Sequence, residues 1–83
     1  MNMAEIIEVK VQGDPEEWLA KARKAAAEKG VALRGDAGSG TFAGKGFEGS
    51  YRLSGGTLAL RIDKKPFFLP WGMVKEGVRG FFE

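Results

Sequence analysis

The chain has 83 residues, a length that suits one small domain with a single modest core. Hydrophobic residues make up 43% and charged residues 29%, values typical of a folded globular domain rather than a disordered segment. Cysteine and histidine are both absent, which excludes disulfide frameworks, Cys/His zinc sites, thiol nucleophiles and imidazole general bases. The net charge of +2 is too small to indicate a nucleic-acid or membrane partner by itself.

The first third of the chain predicts a strand followed by a helix. Residues 5–11 alternate apolar and charged side chains, which is the period of a half-buried strand. Asp14 then supplies an N-cap and Pro15 a first helical residue. The helix is predicted to continue to Lys29 and to end at Gly30. Its apolar stripe consists of Trp18, Leu19, Ala22, Ala25 and Ala26.

From residue 31 the hydrophobic period changes to two. A short strand at 31–34 is predicted to lead into a turn at 35–40 and a further strand at 41–45. Two alternating runs, 47–53 and 58–63, flank a Gly-Gly turn and indicate a β-hairpin. Because only one side of each run is apolar, the pattern favours an antiparallel sheet with one packed face and one wet face.

The C-terminal segment predicts a second helix that begins after Pro70. Apolar side chains recur at helical spacing, but three glycines interrupt them, and each costs a helix about 1 kcal/mol relative to alanine. The whole chain, 1–83, is thus predicted to be one α+β domain with element order β-α-β-β-β-β-α. Two helices are expected to cover one face of a mostly antiparallel sheet of four to five strands. The alternation leaves open whether the first strand pairs parallel with a neighbour or lies beside a later strand.

No catalytic residue, metal site or cofactor is predicted. Glycine patterns at 38–43 and 44–49 resemble dinucleotide-binding motifs, but strands follow both, so the helix N-terminus that holds a pyrophosphate is lacking. The carboxylates between residues 31 and 65 show no paired spacing that demands a shared proton. An enzyme built on this chain would need such carboxylates, Lys45 or Tyr51 in a closed pocket with shifted pKa values.

A basic sheet face is the first candidate binding surface. Arg34, Arg52 and Arg61 are predicted on the wet face, where they would contact phosphates. No aromatic residue is predicted there, because Phe47 and Tyr51 are expected to point to the core. Weak nucleic-acid binding by this face is the alternative function.

An apolar C-terminal cluster is the second and favoured candidate. It consists of Phe67, Phe68, Trp71, Met73, Phe81 and Phe82. Simple core packing is the alternative interpretation, but one helix face cannot bury all these side chains against so small a sheet. An exposed apolar patch is typical of an interface. The cluster therefore predicts a non-enzymatic accessory or binding protein that self-associates as a homodimer or docks on a hydrophobic protein or granule surface.

Several segments of the chain resemble a family of small bacterial proteins. They are Phe-Glu-Gly-Ser-Tyr at 47–51, Gly-Gly-Thr-Leu at 55–58, Lys-Lys-Pro-Phe-Phe-Leu-Pro-Trp at 64–71 and Val-Arg-Gly-Phe-Phe at 78–82. On these segments, and in element order over nearly the whole length, the chain is similar to the polyhydroxyalkanoic acid system proteins. The resemblance implies an association with storage granules and carries over no catalytic residue.

The sequence also favours a cytoplasmic protein. The N-terminal segment is interrupted by charges and offers no apolar signal region. The longest apolar run, 67–74, is broken by Pro70 and Gly72 and is far shorter than the ~20 residues needed to cross a bilayer.

Overall fold

Seven elements follow one another along residues 4–82, the part of the chain that the computed structural model describes, with the side chain of Phe82 excepted. They are β1 (Glu5–Lys10), α1 (Pro15–Lys29), β2 (Ala32–Gly35), β3 (Ser39–Gly44), β4 (Phe47–Ser54), β5 (Thr57–Lys64) and α2 (Trp71–Phe82). This order and the α+β class confirm the prediction from the sequence.

The five strands form one antiparallel sheet in the order β1-β5-β4-β3-β2. The first strand therefore pairs antiparallel with the last one, which settles the question that alternation left open. The register places Ile7 opposite Leu60 and Val9 opposite Leu58, so the apolar side chains of both strands share one face. A slip by one residue would turn Ile7 and Val9 to solvent, and the burial of this face selects the pairing.

The local signals for α1 and the hairpin are confirmed. The Asp14 carboxylate accepts a hydrogen bond of 3.0 Å from the Glu16 backbone N–H, as an N-cap does. Gly55 and Gly56 both adopt positive φ, 57° and 81°, which is the geometry of a type I′ turn between paired strands. Glycine at both positions lets β4 and β5 continue directly into each other.

β3 begins at Ser39, two residues earlier than predicted. Ser39 pairs with Arg52 and Gly40 with Tyr51, so the turn between β2 and β3 is confined to residues 36–38. The side chain at position 40 would lie against Tyr51, and only glycine leaves room for that ring. Gly40 is therefore a residue of β3 that packs closely against Tyr51, and not a residue of the turn.

The core lies between the inner face of the sheet and the two helices. Trp18 of α1 meets Tyr51 of β4 edge to face, with ring centroids 5.5 Å apart. The buried apolar residues are Ile7, Val9, Trp18, Leu19, Ala37, Tyr51, Leu58, Ile62 and Val74. The spacing of Val74 and Val78 along α2 turns both side chains toward this core.

α2 contacts β1 and α1 contacts β2. An ion pair of 3.0 Å between Lys75 and Glu5 joins α2 to β1. The strand directions place the start of β1, the end of β5, the end of α1 and the start of α2 at one end of the sheet. We call this end the turn end, because it carries the connection between β5 and α2.

Candidate functional site

A tight turn joins β5 to α2 and presents two aromatic rings to solvent. It spans residues 66–69 and is closed by a hydrogen bond of 3.1 Å from the Leu69 N–H to the Pro66 carbonyl. Its two central residues are Phe67, which is 94% exposed, and Phe68, which is 70% exposed. The rings lie edge to face with centroids 5.8 Å apart, and neither belongs to the side chains packed against the core. We call residues 66–69 the aromatic turn.

The flanks of the aromatic turn fix it to the domain. Leu69 and Trp71 are half-buried and pack against the core. The Pro70 carbonyl accepts hydrogen bonds from the N–H groups of Met73 and Val74, which starts α2 immediately after the turn. The two rings are therefore displayed from a turn that is anchored on both sides.

The exposed apolar surface extends onto the first turn of α2. Met73 is 60% exposed, because it lies one position before Val74 and thus points away from the core. We call Phe67, Phe68 and Met73 the apolar patch. Three of the six predicted residues are therefore exposed at the turn end.

The other three predicted residues are not part of this exposed patch. Trp71 is half-buried, with the Lys65 ammonium 5.3 Å from its ring centroid. Phe81 is also half-buried, near the far end of α2, and the Lys21 ammonium lies 5.0 Å from its ring centroid. The side chain of Phe82 lies outside the described residues. Helical spacing agrees with this difference, because Trp71 and Phe81 lie on the same stripe of α2 as Val74 and Val78, and Met73 lies off it.

Charged side chains of both signs lie near the aromatic turn, and Glu48 is directly opposite Lys64 across the β4–β5 ladder. Residues 64–75 contain three lysines and no acidic side chain. In the neighbouring β3–β4 turn, Gly46 faces Pro66 so closely that a Cβ there would lie 3.0 Å from the proline ring, whereas the side chain of Lys45 lies along Gly30 at the end of α1. Lys75 is occupied by Glu5, and Lys65 donates to the Pro66 carbonyl at 3.3 Å. Lys45 and Lys64 are exposed and form no ion pair within residues 4–82.

The outer face of the sheet carries all three predicted arginines. Arg61 and Arg34 occupy one row across the strands, with Ser50 and Thr41 between them, and Arg52 lies in the next row. Small side chains form the floor of an open depression of about 390 Å³, which Arg52 and Arg61 border. Arg61 is also bound to Asp63 at 2.9 Å. The strand register places no aromatic side chain on the described part of this face.

Sequence reasoning did not single out Ile6 on this outer face. Ile6 is 62% exposed and lies directly opposite Arg61 across the β1–β5 ladder. The sequence contained a signal for this exposure, because Ile6 is apolar at a position where the alternation of the strand calls for a polar side chain. Ile6 lines the open depression together with Ala59 and Arg61.

Tyr51 and Asp36 are joined by hydrogen bonds that hold the turn between β2 and β3. The Tyr51 hydroxyl donates a hydrogen bond of 2.7 Å to the Asp36 carbonyl, and the Asp36 carboxylate accepts from the N–H groups of Ser39 and Gly38 at 3.0 and 2.8 Å. The Ser39 and Gly38 donors hold the pKa of the Asp36 carboxyl below its usual value. Burial of the ring raises the pKa of Tyr51. Within residues 4–82, no three carboxylates converge as a metal site would require.

No helix among residues 4–82 combines the length and apolar character needed to span a membrane. Comparison with known proteins identifies no relative: no protein-family model, no curated protein and no solved structure matches the chain.

Proposed function

We propose that the chain is a non-enzymatic docking domain that attaches to a hydrophobic surface through the apolar patch. The observation that supports this function is the nearly complete exposure of two adjacent phenylalanines on a hydrogen-bonded turn. Burial of one phenylalanine side chain contributes about 1.5–3 kcal/mol, so the two rings together offer several kcal/mol on docking. Because the turn is already closed, little conformational entropy is lost when the rings are covered.

The size of the apolar patch favours an extended surface as its partner. An aromatic side chain covers about 150–250 Å², so the two exposed rings and Met73 present only a few hundred Å². A stable protein interface needs about 800 Å² on each partner. A granule or amphiphile surface needs no complementary shape and accepts two projecting rings without further contacts. We therefore favour such a surface over a homodimer.

The resemblance to polyhydroxyalkanoic acid system proteins suggests which surface this is. A polyhydroxyalkanoate granule is an apolar polymer body in the cytoplasm, and the apolar patch has the chemistry to attach there. The proposed role is that of an accessory protein on the granule.

The test is binding of the full chain to amorphous poly(3-hydroxybutyrate) particles, measured by co-sedimentation. Phe67→Ser combined with Phe68→Ser should weaken binding at least tenfold, since it removes more than the 1.4 kcal/mol that a tenfold change represents. Ile6→Ser is the matched control, because it removes another exposed apolar side chain from the outer sheet face.

Wild-type-like binding by the double variant, with an unchanged circular dichroism spectrum, would exclude the aromatic turn as the docking site. Equal loss in the Ile6→Ser control would indicate nonspecific adhesion. Sedimentation of the wild type as a stable dimer would instead favour self-association.

A second candidate function, weak binding of single-stranded nucleic acid, draws support from the outer sheet face. Arg34, Arg52 and Arg61 share that face, and Arg52 and Arg61 border a depression whose floor is formed by small side chains. Phosphate contacts release counterions, so the affinity for single-stranded RNA should fall steeply between about 50 and 200 mM salt. An absence of binding at the lower salt concentration rejects this candidate.

A further inference from the structure

We infer that the open edge of β1 pairs antiparallel with β1 of a second copy of this chain, so that the two sheets join into one. This inference goes beyond the proposed function, because it uses a surface other than the apolar patch. It depends on the direction of the backbone groups along β1 and on the order of the charged side chains in this strand.

The backbone groups on one side of β1 have no neighbouring strand. β1 is an outer strand of the sheet and lies beside β5 alone. The Val11 N–H donates to the Gly56 carbonyl at 2.9 Å, which fixes the alternation of the ladder. The odd-numbered residues of β1 therefore direct their backbone groups to β5, whereas Ile6, Glu8 and Lys10 direct theirs to the open edge. Such a row of free N–H and C=O groups is a template for another strand.

The other edge of the sheet is protected by α1. At the start of β2, the Val31 N–H donates to the Ala26 carbonyl at 2.8 Å. At the end of β2, the Gly35 carbonyl accepts a hydrogen bond of 2.7 Å from Arg23. In the described part of the chain, α2 forms no hydrogen bond of this kind with the backbone of β1. Of the two edges, β1 is therefore the one that is open to a second chain.

Two charged side chains on β1 lack a partner within residues 4–82. Glu8 and Lys10 are exposed on the outer face of the sheet, where Ala59 and Thr57 lie opposite them on β5. Neither belongs to an ion pair in this part of the chain. The other charges beside the strand are already paired, Glu5 with Lys75 and Arg61 with Asp63. A second copy can thus supply what the single chain does not.

One register of the pairing brings opposite charges together. With a two-fold axis at Val9, Glu8 lies opposite Lys10 of the second copy, and Lys10 lies opposite its Glu8. Moving the axis by one residue instead places Glu8 opposite Glu8 or Lys10 opposite Lys10, and like charges in these positions are destabilising. The favoured register also sets Ile7 opposite Val11 of the second copy, so the apolar inner faces continue across the junction. A two-fold contact of this kind closes as a dimer.

The position of α2 leaves room for the second strand. Lys75 reaches Glu5 near the start of β1, so α2 runs along this strand from the turn end toward residues 8–10. An open depression of about 400 Å³ lies beside these residues, and Arg79 borders it from the helix side. Because the axis at Val9 is near the end of α2, the two helices extend away from each other. They approach only at their last turns.

The first measurement is sedimentation equilibrium of the full chain at concentrations from roughly 10 μM to 1 mM. The wild type should pass from monomer to dimer over this range. Hydrogen exchange of individual amides then locates the contact, since the N–H groups of Glu8 and Lys10 should exchange more slowly as the dimer forms.

Charge reversal tests the register. Glu8→Lys and Lys10→Glu each place like charges opposite each other, and each should weaken dimerisation roughly tenfold or more. An equal mixture of the two variants restores opposite charges at both positions, so the variants should bind each other about as well as the wild type binds itself. Arg34→Glu is the matched control, because it reverses a charge on the same sheet face at the protected edge, and it should leave dimerisation unchanged.

A wild type that stays monomeric at the highest concentration would overturn the inference. It would also be overturned if the mixture of the two charge variants failed to associate while the wild type dimerised. Phe67→Ser with Phe68→Ser should dimerise like the wild type, and loss of the dimer in this variant alone would assign self-association to the apolar patch instead. A dimer that this variant retains is independent of the patch, so binding to polymer particles tests the proposed function separately.

Discussion

Asp36 controls the turn between β2 and β3 through hydrogen bonds on both its carboxylate and its carbonyl. The carboxylate accepts two backbone N–H groups, and the carbonyl accepts the hydroxyl of Tyr51. The side chain thus closes the turn, and the backbone joins it to the buried ring that Trp18 contacts. Ala37, enclosed between these groups, is buried although it lies in a turn.

The lowered pKa of Asp36 makes the stability of this turn depend on pH. A carboxyl with a depressed pKa in the folded protein contributes stability above its unfolded value, about 3.9, and loses it as pH falls through the folded value. The free energy of unfolding of the wild type should therefore exceed that of Asp36→Asn at pH 6, and the difference should shrink toward pH 3. Urea denaturation at both pH values measures it. A difference that is independent of pH would contradict the role of the carboxylate charge.

At the scale of an element, glycines have opposite consequences in β3 and α2. A Cβ on Gly40 would collide with the Tyr51 hydroxyl and with the Arg34 carbonyl across the ladder. A Cβ on Gly77, in the middle of α2, would meet nothing within 4 Å. The first glycine is required by packing, whereas the second only weakens its helix.

Alanine substitutions at these two positions should change stability in opposite directions. Gly77→Ala should raise the free energy of unfolding by about 0.5–1 kcal/mol, because alanine favours the helix. Gly40→Ala should lower it by about 1–3 kcal/mol, because the strand and the tyrosine must move apart. Chemical denaturation of both variants measures the shifts. Destabilisation by Gly77→Ala would show that this face of α2 is covered in solution.

The element order was predictable because each signal is local. Asp14 and Pro15 start α1, and two glycines at 55 and 56 join β4 to β5. The pairing of β1 with β5 was not predictable from alternation, since it depends on which strand lies next to Leu58 and Leu60 in the folded sheet. The early start of β3 was missed for a similar reason, because Gly40 reads as a turn residue until its contact with Tyr51 is known.

At the scale of the whole molecule, exposed apolar side chains of the C-terminal cluster lie at one end of the sheet. Composition predicted a surplus of apolar residues near the C-terminus, and exposure of Phe67, Phe68 and Met73 agrees with it. The contact between the β3–β4 turn and Pro66 was not predicted, because Gly46 reaches the proline only once the sheet is assembled. Reasoning from local sequence identified the two rings but not the turn that packs beside them.

For the proposed docking on a surface, the hydrogen bond between Leu69 and Pro66 has a kinetic consequence. A loop that had to reorganise before insertion would make capture slow and dependent on a rare conformation. A turn that already exposes both rings can bind without a prior conformational change. The rate of association then depends on diffusion and on the orientation of the molecule when it meets the surface. The lifetime on the surface then depends on the contacts of the two rings. Substitutions of Phe67 or Phe68 should therefore mainly increase the rate of dissociation.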